Sequence, residues 1–112
     1  MMVRNGPAIG RRRLRVMLEE PVETPDALGG VLRSFQPRVA VWAALEPVRG
    51  DERDEAQQPL SRITHRLSLR WRGDVTAAMR FTAVDRVFEV RGQYDPDGMR
   101  RTLVCLVAEV RP

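Results

Sequence analysis

Period-two alternation runs through most of this chain and leaves little room for helix. In "SRITHRLSLRW", residues 61–71, Ile63, His65, Leu67, Leu69 and Trp71 fall on one side, and Thr64, Arg66, Ser68 and Arg70 on the other. Successive side chains of a strand point to opposite faces, so this segment is a strand with one apolar and one arginine-armed face. "RLRVMLE" repeats the pattern, with Leu14, Val16 and Leu18 against Arg13, Arg15 and Met17. "RVAVWAALEPV" sets Val39, Val41, Ala43 and Leu45 on one face and Ala40, Trp42 and Ala44 on the other. Neither face is charged before Glu46, so this strand is expected to be covered on both sides. Val31–Phe35, Met79–Val84, Val87–Arg91 and Thr102–Val110 read as further short strands.

Turn chemistry separates these runs. "EEPVETPDALGG" carries Pro21, Pro25, Asp26 and the pair Gly29-Gly30, and reads as an extended hairpin connection after a first strand ending at Glu19. The chain then resumes at Val31 and pauses at Pro37. Asp85-Arg86 is a tight hairpin position, and Asp95-Pro96-Asp97-Gly98 has a turn former at every step. About six short strands with turns between them predict an all-β fold, a small antiparallel β-barrel or sandwich. A chain of 112 residues holds one modest core, so residues 11–112 are expected to form a single domain behind a flexible N-terminal arm, residues 1–10.

One stretch breaks the alternation. Residues 48–62, "VRGDERDEAQQPLSR", hold Asp51, Glu52, Asp54 and Glu55 and have no apolar period. It is either a short helix over Glu52–Gln58 ended by Pro59 or a long exposed loop, and so long a loop in so small a domain is usually functional or disordered.

The chemistry of a catalyst is missing. His65 is the only histidine. With no ligand-type neighbour it reads as a core-edge residue with a hydrogen-bonded ring. Cys105, the only cysteine, lies in the apolar run "TLVCLVAEV" and reads as a small buried hydrophobe. The acids at 51–55 lack the alternate spacing of a calcium loop, and no glycine-rich phosphate loop precedes a helix. No catalytic, cofactor-binding or metal-binding residue is therefore expected, and no cofactor. The N-terminus lacks the apolar stretch of a signal peptide, and no run approaches the roughly 20 apolar residues of a spanning helix, so no membrane partner is expected. All 19 basic residues are arginine, and the 15 acids leave a net charge of +4. That balance is less one-sided than in dedicated nucleic-acid binders.

The ordered set "RLRV", "ETPDALGG", an aromatic at Phe35, "VWAALEP", "EAQQ", "THRLSLRWR", "MRF", "RVFEV" and an apolar strand holding a cysteine resembles the head–tail joining proteins of tailed phages. These are also called head closure or stopper proteins, and they occur in gene transfer agents as well. The resemblance covers about residues 11–110. Phe35 stands where the family often has tryptophan, which changes packing rather than role, and the all-arginine basic set fits phage and gene transfer agent alike. The resemblance implies a barrel that assembles with itself as a ring of six copies in the neck of a virion or phage-like particle. The head adaptor or portal complex lies above, the tail terminator below, and packaged double-stranded DNA in the lumen, with assembly in the bacterial cytoplasm. It also implies that a loop projecting into the lumen retains the DNA.

The matching loop here is 48–62, with Arg49, Asp51, Glu52, Arg53, Asp54, Glu55, Gln57 and Gln58 as its candidate gating residues. A segment of this length reaches roughly 25 Å out and back. Its carboxylates repel phosphate, which suits a steric plug; the alternative is a loop that packs on its ring neighbour or on the adaptor ring. Arg66, Arg70 and Arg72, with Arg11, Arg12 and Arg13, are the candidates for contact with a ring neighbour or partner ring, where arginine gives fixed pairing geometry. The alternative reading is a small basic β-barrel that binds nucleic acid directly, which needs stacking aromatics beside the arginines. Most of the aromatics fall instead at expected core positions.

Overall fold

The computed structural model describes residues 13–48 and 62–110. They form six strands: β1 (Arg13–Pro25), β2 (Val31–Pro47), β3 (His65–Arg70), β4 (Arg80–Ala83), β5 (Arg86–Tyr94) and β6 (Thr102–Val110). The order β1-β2-β3-β6-β5-β4 closes on itself as an antiparallel barrel. The all-β expectation holds, and of its two forms the molecule takes the barrel. Among the described residues there is no helix. The arm 1–10 and the segment 49–61, with its expected helix over 52–58, lie outside the described residues.

Alternation fills the interior as the sequence requires. Val16 and Leu18, Ala43 and Leu45, Leu67 and Leu69, Phe81 and Ala83, Phe88 and Val90, and Leu103, Cys105 and Val107 form one buried cluster. Val75, from the connector between β3 and β4, joins it, and Trp71 and Met79 pack against it. Burying a Val, Leu or Phe side chain contributes about 1.5–3 kcal/mol, and every strand supplies at least one.

Three features depart from expectation. First, β1 does not stop at Glu19. It continues through Pro21 to Pro25, paired only with β2, so these residues form one side of a two-stranded ribbon beyond the barrel. The prolines read as turn formers, yet a ribbon with a free edge tolerates a missing N–H. Second, β2 does not pause at Pro37. Leu18 pairs with Val39 and Glu19 with Pro37, which leaves Arg38 as an extra residue, a β-bulge. The ribbon makes the molecule long, 59 × 31 × 28 Å. Third, the β4–β5 turn is Val84-Asp85, with Ala83 paired to Arg86, one residue earlier than expected.

The bulge aims Arg38 at two acids. Its Nη1 donates to Glu20 Oε1 at 2.8 Å and its Nε to Asp74 Oδ2 at 2.8 Å. Arg72 grips the same Asp74 with two bonds, at 3.0 and 2.9 Å, and Gln36 Nε2 donates to Glu20 at 2.6 Å. This network ties the root of the ribbon to the β3–β4 connector. It holds the Asp74 carboxyl well below the usual carboxylate range, chiefly through Arg72 and then Arg38, against the opposing effect of partial burial. Gln36 first and Arg38 second lower Glu20 as well.

Two expected outcomes follow. Because the folded-state pKa of Asp74 is depressed, the unfolded chain takes up the proton first, and the stability due to this pair is present above the ordinary carboxylate pKa and lost as pH falls from about 5. Asp74→Asn is expected to lower the urea midpoint at pH 7, with the gap to wild type shrinking toward pH 2. Val84 is fully exposed and held at φ 55°, a region costly for a β-branched side chain. Val84→Gly is expected to stabilise by about 1 kcal/mol and to raise the thermal midpoint by roughly 5 °C.

Candidate functional site

The segment 49–61 is mounted on a pinned base. At the end of β2 the buried Val48 donates its N–H to the carbonyl of Thr64 at 2.9 Å, and Thr64 donates its own N–H to the carbonyl of Val107 at 2.9 Å. The Thr64 hydroxyl accepts the Glu109 N–H at 2.8 Å and lies 2.8 Å from His65 Nδ1. The chain therefore leaves the barrel at Val48 and returns at Thr64 through two hydrogen-bonded neighbours. The gating candidates Arg49, Asp51, Glu52, Arg53, Asp54, Glu55, Gln57 and Gln58 themselves lie outside the described residues.

His65 sits where its alternation put it, at the core edge. Its ring meets Phe88 edge-on, with centroids 5.5 Å apart at 80°. Beside it the Arg86 guanidinium lies 4.9 Å from the Phe88 centroid and grips Glu109 with two bonds, at 2.8 and 2.9 Å. Thr64 was visible in the sequence only as a polar-face residue. A threonine flanking a long polar segment carries no signal that both its backbone and its hydroxyl will bind.

The interface candidates divide by what they touch. Arg66 lies 3.9 Å from Glu46 on the neighbouring strand. Arg72 is committed to Asp74. Arg13 and Arg15 each place the guanidinium carbon 5.5 Å from the Trp42 ring centroid. Arg70 is exposed. Arg11 and Arg12 lie outside the described residues. Among the described residues Arg13, Arg15, Arg62, Arg70 and Arg100 form no ion pair, whereas Arg33, Arg38, Arg66, Arg72, Arg80, Arg86, Arg91 and Arg101 all do.

Trp42 corrects the expectation that β2 is covered on both sides: it is 52% exposed. The face looked buried because it carries no charge of its own. Its charges come from Arg13 and Arg15 on β1, whose guanidiniums lie within cation–π range of the ring. Trp42 and Trp71 flank an open groove of about 600 Å³ that also takes in Ala44, Ser68, Arg13, Arg70 and Arg101. Ala44 and Ser68, an outward pair in the β2–β3 register, are small and buried.

Nothing in these places resembles a reaction centre. Cys105 is fully buried, and desolvation pushes its thiol up to about 12, far from the thiolate a nucleophile needs. Among the described residues no group of His, Cys, Asp and Glu is placed to hold a metal ion.

Comparison with known proteins adds the following. A family model described as "Phage head completion protein" matches residues 7–110. The solution structure of protein SF1141 from Shigella flexneri 2a is similar, with TM-score 0.69 and 29% identity over 90% of this chain and 95% of that one. A chain from the virion of a native gene transfer agent particle has the same fold, with TM-score 0.64 and 22% identity over 88% of this chain and 96% of that one. No curated protein matches.

Thr64→Val removes the hydroxyl that the Glu109 amide uses and leaves a partly buried donor unpaired. It is expected to cost about 1–3 kcal/mol and to speed amide exchange at Glu109, as read by urea unfolding and hydrogen exchange. Thr64→Ser, which keeps the hydroxyl, is expected to restore most of both.

Proposed function

The chain belongs to the phage head completion protein family, a family of structural proteins of the phage head, and from that premise we propose that it is a non-enzymatic connector, a stopper. In this reading it forms a ring of six copies below the head adaptor or portal complex, retains packaged double-stranded DNA in its lumen, and docks the tail terminator. The particle is a tailed phage or a gene transfer agent, and the ring occupies its neck after assembly in the bacterial cytoplasm.

The observation that carries this reading is the pinned base of residues 49–61. A segment that leaves and rejoins a closed barrel between Val48 and Thr64 has a hydrogen-bonded mount. Its sequence suits a plug that blocks without adhering. Asp51, Glu52, Asp54 and Glu55 repel the phosphate backbone, and only Arg49, Arg53 and Arg62 lie nearby to attract it. Such a plug opens without first breaking many phosphate contacts. Arg70 and Arg13, which no carboxylate of their own chain engages among the described residues, remain available for the ring neighbour, with Arg11, Arg12, Arg66 and Arg72 as the rest of the proposed interface.

Direct nucleic-acid binding by the isolated barrel is less well supported. It needs aromatic faces beside the arginines on which bases stack. Trp42 is exposed, but its ring is engaged by Arg13 and Arg15.

The test is removal of Asp51–Gln58 in the particle-producing strain. The expected outcome is a folded protein, incorporated into joined particles that have lost their DNA. Joined particles that keep their DNA overturn the plug.

A further inference from the structure

The ribbon ends in a preformed apolar tip. The Asp26 carboxylate accepts the amides of Leu28 and Gly30 at 2.8 and 2.7 Å, and Gly29 takes the positive φ of 84° that the turn requires. This fixes Leu28 outward at 95% exposure, with Val31 at 62% and Leu32 at 59% behind it. A lone two-stranded ribbon is marginal in water, and here it presents its apolar side chains to solvent. The prolines disfavour the simplest partner, an added strand: Pro21 and Pro25 remove donors from the β1 strand of the ribbon and Pro37 one at the root of β2. The tip has to be covered through side chains.

The groove beside Trp42 is its complement. Small Ala44 and Ser68 open its floor, tryptophans flank it, and Arg13 and Arg70 bring two charges without a carboxylate among the described residues. The tip carries the acid to meet them: Glu23 is 59% exposed at its side chain and lies 3.6 Å from Arg33. Tip and groove stand at opposite ends of β1, where the twelve steps from Arg13 to Pro25 span about 40 Å, so they do not meet within one chain. A contact between unlike surfaces at opposite ends of a molecule repeats from copy to copy, and a closing rotation turns it into a ring.

We propose that the ribbon tip of one copy, Leu28 with Val31 and Leu32, seats in the groove between Trp42 and Arg70 of the next copy, with Glu23 toward its Arg13 and Arg70. The proposal rests on the ring reading above and names the contact that builds the ring.

The test uses assembled particles. The double variant Leu28→Cys with Arg70→Cys, treated with a short bismaleimide, is expected to give a ladder of dimers, trimers and higher covalent species. Either single variant is expected to give none, because the native Cys105 is fully buried. Leu28→Asp, at a solvent-exposed position, is expected to keep the wild-type urea midpoint yet to fall at least tenfold in copies per particle. A ring visible in the neck by cryo-electron microscopy, with no ladder and with Leu28→Asp incorporated normally, overturns the tip-in-groove contact and leaves the ring standing. A neck with no ring of this chain overturns both. Cross-links only to another particle protein assign the tip to that partner and overturn self-docking. If Trp42→Ala is incorporated normally but loses salt-dependent affinity for a duplex oligonucleotide, the groove belongs to nucleic acid and the proposal falls.

Discussion

Closure of the barrel hangs on a short seam. β1 meets β4 through three residue pairs, Met17 with Thr82, Leu18 with Phe81 and Glu19 with Arg80, against thirteen between β1 and β2. Without that seam the sheet has two open edges and its inner face is exposed on one side. Leu18 and Phe81, the central pair, are both fully buried, so the seam is also the middle of the core. Its outer end is locked by Arg80, whose Nε donates to Glu19 Oε1 at 2.7 Å while its guanidinium lies 4.0 Å from the Phe35 centroid. The residue that closes the barrel thus also seats the ribbon's root. The ribbon itself follows from strand lengths. β4 has four residues and β1 thirteen, so beyond Glu19 β1 has only β2 beside it.

β2 then lays out the functional surfaces in order. Its seventeen residues, at about 3.3 Å each, account for most of the 59 Å long axis. Val31 and Leu32 stand at the tip, Arg38 bulges at the root, Trp42 and Ala44 belong to the groove, and Val48 just beyond it pins the base of 49–61. A continuous strand transmits position along its length with little loss. The Glu20–Arg38–Asp74–Arg72 network braces the ribbon's root against the β3–β4 connector.

Much of this was legible in the sequence because alternation is a strong signal when one face is buried. The strand cores and the role of His65 follow directly from it. The features that were not legible share a cause: each depends on a residue from another strand. Pro21 and Pro25 read as turn formers until β2 is seen to leave their outer edge free. Trp42 read as covered because its own strand carries no charge, while Arg13 and Arg15 arrive from β1. Thr64 gave no signal because its partners, Val48, Val107 and Glu109, lie on other elements. Arg66 has an intrachain acid, Glu46, that only the β2–β3 register brings near. The groove and the loop base are products of pairing, and a single strand's pattern does not encode its neighbour's side chains.

The same reasoning bears on how such a barrel assembles without aggregating. A closed barrel leaves little free edge, and the ribbon, where β1 and β2 run on beyond it, carries three prolines, Pro21, Pro25 and Pro37. Apolar surface left exposed there is confined to a tip that a rigid Asp26 turn holds in one shape, so its partner has to match that shape rather than simply add a strand. Shape-matched side-chain contacts between unlike ends restrict growth to one direction and fix the rotation per copy. Those are the conditions under which head-to-tail association closes on a definite number instead of running on as a fibre. Ordering cost is already met within each copy, because both surfaces are built on hydrogen-bonded strands. In the proposed ring, proline on the ribbon's strands and apolar side chains gathered at its preformed tip would favour side-chain docking over strand addition.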